Sequence, residues 1–184
     1  MRNQYKILAE KYDQVLEADQ EPTLRVSGGG TKKWYQNGKL HRLDGPAVEH
    51  PSGDKEWYQN GKLHRLDGPA IERPSGDKFW YQNDKLHRLD GPAIVWADGR
   101  EDWYQNDKRH RLDGPAIERP DGSKYWYQNG MLHRLNGPAV TGPDGSKEWY
   151  IDGIEYSKKK FDLKTRVREL LKKASDETGI EMDI

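Results

Sequence analysis

The sequence predicts a mainly β fold: an antiparallel β-hairpin repeat array in 23-residue units, with an α-helix at each end. Three observations predict it. The phrase WYQNGKLHRLDGPA begins at Trp34 and returns almost letter for letter from Trp57, Trp80, Trp103 and Trp126. Tryptophans at 34, 57, 80, 103, 126 and 149 keep a spacing of 23 with no insertion or deletion, and a fixed period of that size marks a stacked repeat. The two ends of the chain carry apolar residues at helical spacing instead.

In chain order, residues 1–20 read as an amphipathic helix with Tyr5, Leu8, Tyr12, Val15 and Leu16 on one side. Residues 21–31, with Gly28-Gly29-Gly30, read as a flexible linker. The repeats run from 32 to 156 and end in the half-unit WYIDGIEY. Residues 157–184 read as a capping helix and tail. Phe161, Leu163, Val167, Leu170 and Leu171 are expected against the last hairpin, with Lys and Arg opposite.

Within one unit, Ser52-Gly53 and its counterparts Ser75-Gly76, Asp98-Gly99, Asp121-Gly122 and Asp144-Gly145 sit where a two-residue hairpin turn needs a positive φ. Folding there sets Val48 against Trp57 and Ala47 against Tyr58. Side chains alternate along a strand, so a Trp–Ile/Val face is expected in the core and a Tyr–Ala face opposite. Asn37-Gly38 and Asp44-Gly45-Pro46 signal two further turns. Asn83-Asp84 and Asn106-Asp107 keep the first of these, because Asp tolerates the left-handed region. Leu40 and Leu43 are expected to tuck beneath this loop. The body predicted is a thin antiparallel meander of roughly eleven strands, each unit adding ~10 Å.

Composition agrees with a thin body. Hydrophobic residues make up 33% and charged residues 34%, while seven Trp and ten Tyr argue against disorder. Lys+Arg and Asp+Glu both number 31, which gives no general pull toward nucleic acid or an acidic membrane. There is no Cys, so no disulfide and no thiolate metal site. No apolar run approaches the ~20 residues that span a bilayer, and the first residues are too acidic for a signal peptide. A soluble, cytoplasmic protein is expected.

The unit WYxNGKLHRxDGPA followed by Pro-Asp/Ser-Gly resembles the MORN repeat class, and HRLDGPA resembles a MORN-like variant found in tandem in phage, giant-virus and some bacterial proteins. The likeness covers residues 32–156. It implies a hairpin array used as a scaffold or binding surface. The G-x-G spacing of standard MORN units is replaced here by Asp-Gly-Pro-Ala, so lipid binding is not carried over. On the viral side, the resemblance implies a protein that occupies a host component such as an antiviral defence factor, in the host cytoplasm.

Chemistry is weighed against structure at three rows. The histidines His41, His64, His87, His110 and His133 recur once per unit, too far apart to converge on a metal, so no metal and no cofactor is expected. His, Arg and Asp lie within four positions, as in His64-Arg65-Leu66-Asp67, but no nucleophile recurs beside them. The expected roles are a turn Asp and an Arg reaching an acidic residue one unit away, with no catalytic residue and no enzyme activity. The Tyr row could pack on itself or meet a ligand. The expected function is binding of a protein partner along an elongated β surface, through Tyr58, Tyr81, Tyr104, Tyr127, His64, His87, Arg65 and Arg88. Val95 and Trp96 join them as an exposed apolar departure in the third unit. The alternative is an array that binds a sugar or nucleotide through the same Tyr, His and Arg rows.

Overall fold

The structure, a computed structural model, describes residues 21–179. The helix expected over residues 1–20 and the last five residues of the tail lie outside the described residues. The chain forms two compact units, Met1–Lys85 and Leu86–Ile184.

In the first unit an antiparallel sheet runs in the order Thr23–Val26, Lys32–Gln36, Val48–Glu49, Lys55–Glu56, Ile71–Glu72, Lys78–Phe79. Lys39–Leu40 pairs with the far end of Lys32–Gln36, and Tyr58–Gln59 pairs with Lys62–Leu63 in a separate tight hairpin. The second unit has a sheet in the order Ile94–Val95, Glu101–Asp102, Ile117–Glu118, Lys124–Tyr125, Val140–Thr141, Lys147–Ile151, Ile154–Tyr156. Its tight hairpins are Tyr104–Gln105 with Lys108–Arg109 and Tyr127–Gln128 with Met131–Leu132. No described helix is long and apolar enough to cross a membrane.

Three local features differ from the sequence reading. First, the segment read as a linker contains a strand: Thr23–Val26 pairs along its whole length with Lys32–Tyr35. Leu24 and Val26 alternate with Thr23 and Arg25, a strand pattern the three glycines obscure.

Second, the strand expected to run unbroken through the Trp changes partners there. The Trp57 N–H donates to the Ala70 carbonyl at 2.8 Å, while the Trp57 carbonyl accepts from the His64 N–H at 3.0 Å. Residues before the Trp therefore belong to the broad sheet and residues after it to a tight hairpin. Trp34, Trp103 and Trp126 do the same with Ala47 and His41, Ala116 and His110, and Ala139 and His133. Within each unit broad-sheet strands alternate with tight hairpins, so strands are shorter and more numerous than expected.

Third, the wide hairpins close with a three-residue loop rather than two. The Gly53 N–H donates to the His50 carbonyl and the His50 N–H to the Asp54 carbonyl, with Gly53 at φ 94°. This is a type I turn followed by a left-handed residue, the G1-bulge form. The extra residue slips the register by one. Val48 faces Glu56, Ile94 faces Asp102 and Val140 faces Glu148, and Trp is no longer opposite the β-branched residue. The slip puts Trp on the face opposite its expected partner. The completely buried positions are the alanines, Ala47 and Ala70 in the first unit and Ala93, Ala116 and Ala139 in the second; Val48, Ile94 and Ile117 stay buried as expected, but without Trp opposite them. The tryptophans are half-buried rather than central.

The Asn-Gly turns form as read. Asn60 and Gly61 both have positive φ, as a type I′ hairpin requires. Where Asp replaces Gly, Asp84 and Asp107 hold φ 67° and 63°, and each carboxylate accepts a bond from a neighbouring Leu N–H at 2.8 Å, Leu63 and Leu86 respectively.

The C-terminal helix, Lys158–Thr178, starts at Ser157 and stops at Gly179, which is left-handed and returns its N–H to the Ser175 carbonyl. It contacts Lys147–Ile151 and Ile154–Tyr156, where Ile151 and Phe161 are buried. Leu163, Val167 and Leu170, expected to pack there too, are exposed.

Candidate functional site: a leucine-bearing loop edge

The HRLDGP phrase builds one loop repeatedly. In the first unit, Arg65 lies with its guanidinium carbon 4.1 Å from the centre of the Trp57 ring. Its Nε donates to Asp67 at 3.0 Å, and one Nη donates to the Pro69 carbonyl at 3.2 Å and to Glu72 at 3.1 Å. Arg42 repeats this over Trp34 at 4.2 Å. In the second unit, Arg111 and Arg134 lie 4.0 Å above Trp103 and Trp126. The aspartate reached is thus two residues along the same loop, not one unit away. Asn136 accepts from Arg134 at 3.0 Å in the place of the usual Asp, so the position needs an oxygen acceptor rather than a charge. The guanidinium bond draws the carboxyls of Asp44, Asp67, Asp90 and Asp113 below the usual range.

The glycine of the loop has a reason that turn chemistry does not supply. Gly68, Gly91 and Gly114 are absent from the positive-φ positions. A Cβ on Gly114 would lie 2.8 Å from Arg111 Cζ, and one on Gly68 2.8 Å from Arg65 Cζ. The bare α-carbon leaves room for the guanidinium to lie flat between glycine and indole.

Held in this way, the loop turns its leucine outward. Leu43 and Leu66 in the first unit are each 74% exposed; Leu89 and Leu112 in the second are 71% and 75% exposed. Leu43 was expected beneath the loop. The Arg–Trp stack already fills that space, and the leucine is displaced to the surface.

The residues singled out from the sequence are placed as follows. His64 and His87 turn back into the array: each Nδ1 accepts from a backbone N–H, that of Asn83 at 3.4 Å and of Asn106 at 3.3 Å respectively. Arg65 and Arg88 sit at the loop edge. Tyr58 and Tyr81 in the first unit and Tyr104 and Tyr127 in the second are half-buried rather than displayed. Burial raises the Tyr58 phenol well above its ordinary value, helped by its bond to Glu56 at 2.9 Å. Val95 and Trp96 are half-buried and not an exposed pair: Val95 faces Glu101, and the Trp96 ring nitrogen donates to Asp102.

Two features of the second unit were not singled out. Arg109 stands where sister phrases have Leu, 5.8 Å and 5.4 Å from the Tyr104 and Tyr127 ring centres. Asp152 stands where they have Asn. Its carboxylate lies 2.7 Å from His133 Nδ1 and 3.7 Å from Arg168 of the helix. These residues line an open cleft of about 410 Å³ with Leu135, Thr165, Glu169 and Lys172. Both are single-letter departures from a repeated phrase, which is the signal that finds them. Among the described residues, no group of three His, Asp or Glu converges as a metal site would. No protein-family model and no curated protein matches the chain.

Proposed function

We propose that this chain is a non-catalytic array of MORN-like 23-residue hairpin units, with a helix at each end, that binds a protein partner through the leucine-bearing loop edge. One observation carries the reading: a leucine about three-quarters exposed, repeated at the same place in a loop fixed by an Arg–Trp stack. An apolar group presented on a rigid loop loses little freedom on binding. Each leucine has ~1–2 kcal/mol of unrealised burial, and the adjoining Trp and Arg are the residue types that dominate interfaces. The tyrosine and histidine rows are half-buried or buried and play a supporting part. Half-burial of Tyr58, Tyr81, Tyr104 and Tyr127 leaves little free ring face, which disfavours the sugar or nucleotide array. The phage and giant-virus resemblance makes a host protein, such as a defence component, the first partner class to try, in the host cytoplasm.

The test is affinity capture from the native host with wild-type protein and with Leu66→Asp/Leu112→Asp, followed by titration of the purified partner. Both leucines are exposed, so the variant should keep the wild-type circular dichroism spectrum. A partner that binds the folded variant as tightly as wild type refutes the edge as the binding surface.

A further inference from the structure

The C-terminal helix faces the sheet with the wrong side for a simple cap. At ~100° per residue, Phe161, Thr165 and Arg168 share the inner face, and these are buried or half-buried. Leu163, Val167 and Leu170 lie on the opposite side and are 65%, 45% and 60% exposed. With Ala174 they repeat at intervals of 4, 3 and 4 residues, the spacing of a two-helix seam. Three exposed apolar side chains, continued by the half-buried Ala174 in the same line, are more than scattered surface leucines account for.

The borders of this stripe are basic. Lys159 and Lys160 flank its start and Arg166 its middle, and none of the three makes an ion pair among the described residues. The helix has eight basic and four acidic residues. Asp162, Glu169 and Asp176 lie behind the stripe by the same helical arithmetic; Glu177, paired with Lys173, reaches its border only at the C-terminal end. The first turn, Lys158-Lys159-Lys160, contains no acidic residue, although cations at a helix N-terminus oppose the helix dipole. That arrangement weakens the isolated helix and is offset when negative charge is brought alongside. Like-charged borders also oppose pairing with a second copy.

We propose that the outward face of Lys158–Thr178 docks an acidic amphipathic helix of a partner protein. The partner's leucine-type stripe covers Leu163, Val167, Leu170 and Ala174, and its Glu or Asp residues meet Lys159, Lys160 and Arg166. An antiparallel partner also brings the negative end of its own dipole beside the three lysines. This surface is independent of the loop edge.

The experiment uses the full chain and a designed 21-residue helical peptide with leucines at the same spacing and glutamates on both borders. A matched peptide with lysine borders serves as the control, and vesicles of phosphatidylcholine with and without phosphatidylserine are titrated in parallel. The proposal expects saturable one-to-one binding of the glutamate peptide, at least about tenfold tighter than the lysine peptide. Leu163→Asp/Leu170→Asp abolishes binding without changing the fold, since both residues are exposed. Lys159→Glu/Lys160→Glu/Arg166→Glu reverses the preference toward the lysine peptide, a swap that unfolding cannot mimic. Equal binding of both peptides, binding of neither, phosphatidylserine-dependent vesicle binding without peptide discrimination, or self-association through this face in place of peptide binding overturns it.

Discussion

Replacing Gly114 by Ala tests whether the loop glycine serves the arginine rather than the backbone. The added methyl would stand 2.8 Å, 2.9 Å and 3.1 Å from Cζ, Nε and Nη2 of Arg111. All three atoms lie at the end of a flexible side chain, so the guanidinium moves and the backbone stays. What is lost is the stack on Trp103 at 4.0 Å and the bond to the Pro115 carbonyl at 3.3 Å. A partly desolvated cation–π contact contributes ~0.5–2 kcal/mol. A half-exposed charged hydrogen bond adds about 1. The substitution should therefore cost ~1–3 kcal/mol, read from urea unfolding followed by far-ultraviolet circular dichroism. The decisive measurement is the double-mutant cycle with Arg111→Ala. With the guanidinium gone, Gly114→Ala should be neutral or stabilising by a few tenths of a kcal/mol, because alanine restricts the unfolded chain. If it costs the same with and without Arg111, the glycine answers to its own backbone and the reasoning fails.

Other outcomes follow from the same geometry. Asp113→Asn should keep the acceptor, as Asn136 does beside Arg134, and lose only the small part that the carboxylate's charge adds; a drop as large as that of Arg111→Ala would make the charge essential. The loop aspartates have folded-state pKa values below the unfolded ~3.9, so their contribution is complete above that pH and is lost as pH falls through the depressed values. Urea midpoints measured from pH 5 to pH 2 should decline, and less steeply in Arg65→Gln/Arg111→Gln. Tyr58 behaves oppositely: its folded pKa is raised, so its contribution is complete below ~10 and falls as pH rises from there toward the folded value. In a 295 nm titration, Tyr58→Phe should remove one late-ionising phenol; loss of an early one instead would contradict the burial. Asp107→Ala should cost ~1–2 kcal/mol because the bond to the Leu86 N–H is lost and an alanine is left at a left-handed position, whereas Asp107→Gly, which loses the same bond without that strain, should cost ~1 less; equal costs would show that the left-handed backbone is not strained by a side chain there.

Hairpins, antiparallel pairing and the Asn-Gly turns were legible in the sequence because each rests on local chemistry that the repeated phrase displays many times. The register was not. Ser-Gly and Asp-Gly fit either a two-residue turn or a type I turn with a bulge, and only hydrogen bonds such as His50 to Asp54 separate them. From that one residue followed the loss of the expected pairing of Trp with Val or Ile. The exposed leucines were hidden for a related reason: an apolar residue in a loop reads as packed unless the Arg–Trp stack that excludes it is known. Asp152 and Arg109 could have been found by comparing sister phrases letter by letter. The helix was legible as amphipathic, but which side meets the sheet depends on Phe161 entering at its start, and no periodicity decides that.

Each tryptophan where the chain changes partners joins a broad-sheet strand to a tight hairpin through a single residue, its N–H committed to one neighbour and its carbonyl to another. Loosening either side at that residue frees a backbone group next to the bond that holds the other side, so both sides are bound into the same short stretch of chain. The chain is in effect riveted at Trp34, Trp57, Trp103 and Trp126. A pulling force or a chaperone would have to open it rivet by rivet, and the amides at those points should be among the slowest in the molecule to trade hydrogen for deuterium.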